Sequence, residues 1–397
     1  MTHRVQINLF IFFWHICKIV ILTIEFKMKI TKLQLENFRN YKSFSYDFPK
    51  QKNLTVLIGP NGKGKTNFLE SIYILSLGKS FRTLIQEDLI EWSMDYMRCN
   101  CEIISSNETT RLDVYYSKHP KKIKKFKKND VDLRNSEYLG NLITVLFHPE
   151  NMNMLYLSPS FRRKYINILI SQTDKKYLNA LSNYKKILKQ RNALLYEIRD
   201  KKFKGEKCGS LEEDLNAWDT KILEYGPCII SKRKELVRFL KYNIEKNYVS
   251  ISGGTEEVSL EYLNPVKDNP ALQKTYKTEL VNRRKKDIKN AKTSIGPHLD
   301  DIKFYINSKE ITTSASRGEF RTLLLSLKLA EIEYIKRETK KNPVLLLDDV
   351  FSELDRKRQS HLLKTIKNCQ TIITTTDIDN LDKLAEEGAS MEFVKLE

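Results

Sequence analysis

Residues 59–66 constrain this chain more than any other stretch. They read Gly59-Pro60-Asn61-Gly62-Lys63-Gly64-Lys65-Thr66, a full match to G-x-x-x-x-G-K-[ST]. Immediately before them, Leu54-Thr55-Val56-Leu57-Ile58 predicts a buried strand, and residues 67–77 predict a helix. A strand–turn–helix unit is the context this pattern requires. The glycines let backbone N–H groups close around phosphates, and the helix N-terminus adds its positive dipole end. Lys65 is placed to neutralise β- and γ-phosphate oxygens, and Thr66 to bind Mg²⁺. The expectation is a nucleoside triphosphate site on an α/β fold, with Mg²⁺ as its metal.

A second apolar run, Val344-Leu345-Leu346-Leu347, ends in Asp348-Asp349. Two adjacent acids after four aliphatics are costly to bury unless a cation meets them. Asp348 suits the Mg²⁺ shell. Asp349, pointing the other way on the strand, suits positioning of the attacking water, and with Lys65 forms the expected catalytic pair. Upstream, Ser314-Ala315-Ser316-Arg317-Gly318-Glu319 precedes an apolar helix predicted over 320–335. A serine and a glycine at a helix start make a further anion-binding N-terminus.

The rest of the chain divides around these motifs. Residues 28–155 read as strands and turns, opening on KITKLQLENF, which has the alternation of an edge strand. Residues 156–292 read as a mainly helical insertion, with Pro227 breaking or kinking its second helix and a hairpin turning at Gly253-Gly254. A basic helix is predicted over 273–292, and residues 293–397 return to strands. The insertion lacks sustained heptads, so a long coiled coil is excluded. The first 27 residues contain a nearly all-apolar run at 9–24, interrupted by Lys18 and His15, which reads either as a membrane anchor or signal segment or, preferred, as the product of a mis-assigned start. Because strand character begins at once from Met28, that residue is the expected initiator. Six scattered cysteines without a C-x-x-C pair predict reduced thiols and no structural metal.

Lys+Arg 69 against Asp+Glu 50 gives a formal charge of +19, which points to a polyanionic partner, either nucleic acid, the favoured one, or an anionic membrane surface. Seven lysines lie between Lys118 and Lys128 with no acid among them. The candidate DNA contacts are Lys121, Lys122, Lys124 and Lys125 there, Arg162 and Arg163 at the start of the insertion, and Arg283 and Arg284 in the basic helix. No base-reading motif is present, so backbone binding with steep salt dependence is expected.

The order phosphate loop, S-x-G-E before a helix, LLLDD, then Ser352-Glu353-Leu354-Asp355 resembles ABC-type ATPases. More specifically, the chain resembles the RecF family of bacterial replication and repair proteins. The stretches that carry the likeness are LENFRNY (35–41), GKTNFLESIYILSLGKSFRT (64–83), FHPENMNML (147–155), SPSFRRKYIN (158–167), YKKILKQRNALL (184–195), IGPHLDDIKF (295–304) and LLLDDVFSELD (345–355). The resemblance implies an ABC/SMC-type ATPase head of mixed sheet, interrupted by a helical arm. It implies an ATP-dependent homodimer in which Ser316 and Gly318 of one copy reach the γ-phosphate held by the other, with Glu319, Thr376, Arg39 and Asn67 joining the nucleotide site. It further implies slow, DNA-stimulated hydrolysis, binding of duplex DNA beside single-stranded gaps, RecR as a partner and support of RecA loading. The expected location is cytoplasmic, without a membrane partner.

The sequence departs from the family pattern in three places. Arg317-Gly318-Glu319 stands where Gly-Gln is usual, His148 takes the place of the ABC glutamine, and Leu299 replaces a basic residue in GPHLDD. Two other readings compete: an ABC transporter subunit, disfavoured by Thr376 at the switch-histidine position, and a structural or defence ATPase with the same head.

Overall fold

The computed structural model of the chain describes residues 26–105, 108–266, 271–376 and 391–396. The apolar run at 9–24 lies outside the described residues. Among the described residues, no helix is long and apolar enough to cross a membrane.

The first part of the chain supplies strands β1 (Lys29–Phe38), β2 (Tyr41–Asp47) and β3 (Leu54–Ile58), then helix α1 (Lys65–Leu77). Strands β4 (Tyr96–Ser105), β5 (Glu108–Ser117), β6 (Ile123–Lys128), β7 (Val131–Leu133) and β8 (Thr144–Phe147) follow. Next come helices α2 (Pro159–Thr173), α3 (Lys175–Phe203) and α4 (Gly209–Ser252), strand β9 (Val258–Leu263) and helix α5 (Leu272–Asn290). The last part holds β10 (Asp301–Ile306), α6 (Arg317–Thr339), β11 (Val344–Asp348), α7 (Arg356–Ile366), β12 (Thr371–Thr375) and β13 (Met391–Lys395).

The strands of the head form two main sheets. One is parallel, in the order β13-β3-β12-β11-β8, and interleaves strands from both ends of the chain. Every residue of β3, β11 and β12 is buried, the signature of parallel strands covered on both faces. The other is antiparallel, in the order β2-β1-β4-β5-β6-β7, and β4 alternates buried and half-buried positions along most of its length. β1 lies between β2 and β4, so KITKLQLENF is an interior strand and not the edge its alternation suggested. Alternation reports that one face is buried; it says nothing about whether both edges are paired.

The insertion joins the head through α4, which packs on α3 and on α6. α4 runs unbroken through Pro227, so of the two expectations there the break is absent. Ile222, Ile229 and Ile230 are fully buried around it, and a Cβ on Gly226 would lie 2.5 Å from the Tyr276 ring. Tertiary packing here outweighs the several kcal/mol a helix-interior proline costs, about 3. The hairpin expected at Gly253-Gly254 is also absent. Gly253, at φ 69°, caps the C-terminus of α4, and β9 pairs antiparallel with the distant β10. A Gly-Gly pair serves a helix cap and a hairpin turn equally well, and only the partner strand decides.

Candidate nucleotide site

The loop from β3 into α1 is shaped by its glycines and gripped from outside. Gly62 and Gly64 have φ of 84° and 98°, and a Cβ on Gly64 would meet Asn40 Nδ2 at 2.6 Å. Tyr41 Oη donates to the Gly64 carbonyl at 3.1 Å, and Asn67 Nδ2 donates to Asn40 Oδ1 at 2.8 Å. Asn40 and Tyr41, at the turn between β1 and β2, thus tie the antiparallel sheet to the loop. Lys65 Nζ donates to the Gly59 and Pro60 carbonyls at 2.6 and 3.0 Å, so the loop holds its own lysine folded inward. Burial lowers the Lys65 ammonium, while the charges of Asp349 and Asp348 oppose that shift.

Asp348 closes the other side. Its Oδ1 accepts from Thr66 Oγ1 at 2.9 Å and from Thr374 Oγ1 at 2.8 Å. Thr374 sits directly opposite Asp348 on β12, the strand between β3 and β11. Sequence reasoning put forward Thr376 from the same Thr374-Thr375-Thr376 run; that residue is exposed just beyond β12. The missing information was the strand order, which inserts β12 between the two motifs. His148 Nε2 lies 3.4 Å from Asp348 Oδ2, and His148 Nδ1 accepts the Glu150 N–H at 3.1 Å. That acceptor role leaves the proton on Nε2, facing the carboxylate. Burial lowers the His148 pKa, which favours the neutral ring. Asp349 leaves the strand in a left-handed turn, φ 52°, with its N–H donating to Thr374 Oγ1 at 3.0 Å. A carboxylate and two hydroxyls make a hard oxygen donor set, which fits Mg²⁺.

Two candidates are engaged elsewhere. Arg39 Nε and Nη2 form a fork on Glu70 at 3.0 and 2.9 Å, and its Nη1 reaches the Asp88 carbonyl. Glu70 is fully buried on α1 and needs that cation. Glu319 caps its own helix: its carboxylate accepts the Ser316 N–H at 2.7 Å, and Ser316 Oγ accepts the Glu319 N–H at 3.2 Å. These bonds lower the Glu319 pKa and give its charge a local use. Ser316 and Arg317 stand exposed, and Arg358 Nη2 donates to the Gly318 carbonyl at 3.1 Å. The structure therefore assembles Lys65, Thr66 and Asp348, with Asp349 alongside, and leaves the exposed Ser316 and the half-buried Gly318 as a separate cluster.

The model of the RecF/RecN/SMC N terminal domain family matches residues 29–394. The DNA replication and repair protein RecF of Bacillus cytotoxicus is 38% identical over 375 residues, 93% of this chain and 97% of that one. The chain belongs to the RecF family. RecF of Bacillus mycoides is also 38% identical, over 89% of this chain and 94% of its own. A solved structure of the recombination mediator protein RecF with ATP, from the RecFOR pathway, superposes with TM-score 0.81 at 33% identity, covering 88% and 92% of the two chains. The Smc head domain of Pyrococcus furiosus, at TM-score 0.51 and 18% identity, shares the fold.

In this RecF-family chain the expected DNA contacts are dispersed, and most are put to internal use. Arg162 is buried, with Nε and Nη2 on Asp301 at 2.7 and 2.9 Å and Nη1 on the Leu157 carbonyl. Arg163 donates to the Asp300 carbonyl, Arg283 to Glu279, and Arg284 to Asn216 and Asp219. Lys124 donates to the Gly78 carbonyl at the end of α1, and Lys122 pairs with Glu87. Lys121 and Lys125 are exposed, on the loop after β5 and on β6. A run of basic letters cannot separate lysines that face solvent from those that close a helix end.

Proposed function

We propose that this chain is an ATP-dependent DNA-binding protein of replication and recombinational repair. ATP joins two copies, the dimer holds duplex DNA beside single-stranded gaps, slow DNA-stimulated hydrolysis releases it, and RecR and the RecA-loading machinery act with it. The observation that carries this reading is the Asp348 carboxylate, tied to Thr66 and Thr374 and facing the phosphate loop that holds Lys65. The names of its relatives, DNA replication and repair proteins, supply the biological setting.

Mg²⁺, held by Thr66 and Asp348, would supply charge neutralisation on the β- and γ-phosphates. The chain's own residues do the rest. Lys65 exchanges two loop carbonyls for phosphate oxygens. Gly62 and Gly64 let the loop N–H groups converge on the triphosphate. Asp349, turned out of the strand, orients the attacking water. His148, neutral with Nε2–H toward Asp348, holds that carboxylate in place. Ser316 and Gly318 of the second copy complete the site across the dimer, and the exposure of Ser316 in one chain suits this role.

The test is ATP hydrolysis and size-exclusion chromatography with and without duplex DNA. DNA should stimulate turnover, Lys65→Met and Asp348→Asn should each cut it by roughly 10²-fold or more, and Ser316→Arg should leave the chain monomeric in ATP. ATP-dependent dimers of the Ser316→Arg variant would overturn the composite site.

A further inference from the structure

The end of α1 opposite the phosphate loop borders a cleft of about 630 Å³ between the head and the insertion. Lys79 enters it just beyond α1, Arg163 and Lys164 from α2, and Lys185 and Lys186 from α3. No aspartate or glutamate is among the residues that line it. Other basic groups nearby are answered: Arg162 by Asp301, Arg233 by Asp300, Arg191 by Asp287. The first turn of α2, which brings Ser160 to the same wall, also carries no acid, so its N-terminal dipole adds to the positive potential. The cost shows on Lys79, whose ammonium is pushed down to about 8 by desolvation and then by the repulsion of Lys164, Lys185 and Lys124. Arg163 and Lys185 are lowered as well, chiefly by desolvation. Like charges brought together without a counter-charge are relieved by an anion.

We infer that this cleft, where Lys79, Lys164, Lys185 and Lys186 converge, binds the phosphodiester backbone of nucleic acid. The inference rests on the DNA-binding reading above and places one of its contact sites. Two features favour backbone over base. No aromatic side chain lines the cleft, so a base has nothing to stack on, and the cations come from three elements around an open trough. Lys79, Lys164, Lys185 and Lys186 all keep side-chain surface open to solvent, although protein atoms crowd the Lys79 and Lys185 ammonium groups, so a polymer running past can reach them. The amino-acid sequence alone does not reveal this site, because its lysines belong to separate segments that no single basic run joins.

The experiment compares the wild-type chain with Lys79→Ala/Lys185→Glu/Lys186→Glu, both with ATP, titrating a fluorescent duplex over a range of salt. Each phosphate left without its lysine lowers the log–log salt slope by roughly 0.9, so the triple variant should reduce the slope by about 2.7 and the affinity by at least about tenfold. Melting followed by circular dichroism confirms that the variant folds. Independently, Lys79 of the wild type should acetylate faster than other exposed lysines near pH 8, and the duplex should protect it, as read by mass spectrometry. If the wild type binds DNA and the variant binds as well with an unchanged slope, the cleft is not a contact site. If the wild type binds no DNA, the functional reading itself fails. If tripolyphosphate protects Lys79 and duplex does not, the occupant is a free polyphosphate and the nucleic-acid assignment falls.

Discussion

The nucleotide site and the base of the helical insertion both bury charge, and they balance it differently. At the base, Asp300 is fully buried and accepts from Arg233, from Asn264 at 2.7 Å and from the Tyr262 hydroxyl. Arg233 in turn reaches the Pro297 carbonyl and Asn167. Nearby, Arg191 bridges Asp219 and Asp287, and Asp287 also accepts from the Ser294 N–H and hydroxyl. Charge meets charge, and the network is closed on its carboxylate side, while Arg191 Nη2 is left without a hydrogen-bond partner. At the nucleotide site Lys65 meets carbonyl oxygens, and Asp348 meets hydroxyls and a neutral imidazole. These are uncharged partners that a triphosphate and a cation can replace. A closed network fixes how two parts of the fold meet, whereas an open one keeps its electrostatic energy for a ligand.

That contrast can be broken by mutation. The largest effect on stability is expected at the closed network: Arg233→Met leaves Asp300 buried without its cation and should cost about 3–5 kcal/mol. Thermal melting reads this loss, and a variant that melts like the wild type would show that the network is not closed. At the open site the damage should fall on turnover and spare the fold. Lys65→Met should cut ATP hydrolysis by roughly 10²–10³-fold with little change in melting temperature. A large drop in melting temperature would mean the lysine is structural.

His298 gives the comparison a pH axis. Its Nδ1 accepts from the Tyr184 hydroxyl at 2.8 Å and its Nε2–H donates to the Thr293 carbonyl, and burial holds its pKa down to about 4 from an ordinary 6.5. Between those values the unfolded chain binds a proton that the folded chain refuses, so stability falls as pH falls through this window. The total is on the order of 3 kcal/mol, and His298→Gln should flatten that part of the melting-temperature profile. The smallest effect is expected at Thr374→Val, which removes one of two hydroxyls from Asp348 Oδ1. A loss of about 1 kcal/mol, several-fold in turnover, is expected. No change in turnover would leave Thr66 as the sole hydroxyl that matters there.

Several features were legible because a local rule carried them. The strand–loop–helix at 54–77 needs only neighbouring residues, and α1 and α6 lie where their apolar spacing placed them. The errors came where a local signal has two uses. Gly253-Gly254 fits a hairpin and a helix cap, Pro227 breaks an isolated helix and is tolerated in a packed one, and Arg162 is as basic to the eye as Lys121.

By itself the sequence determined the phosphate loop, the pair of acids after a buried strand and the division into head and insertion, because each follows from the chemistry of adjacent residues. Only the tertiary structure decided that Thr374 stands between the two motifs, that Asn40 and Tyr41 hold the loop, and which cations face outward. Those facts depend on strand order and on which carboxylate lies across a packed interface, and residues far apart in the chain acquire such neighbours only when it folds.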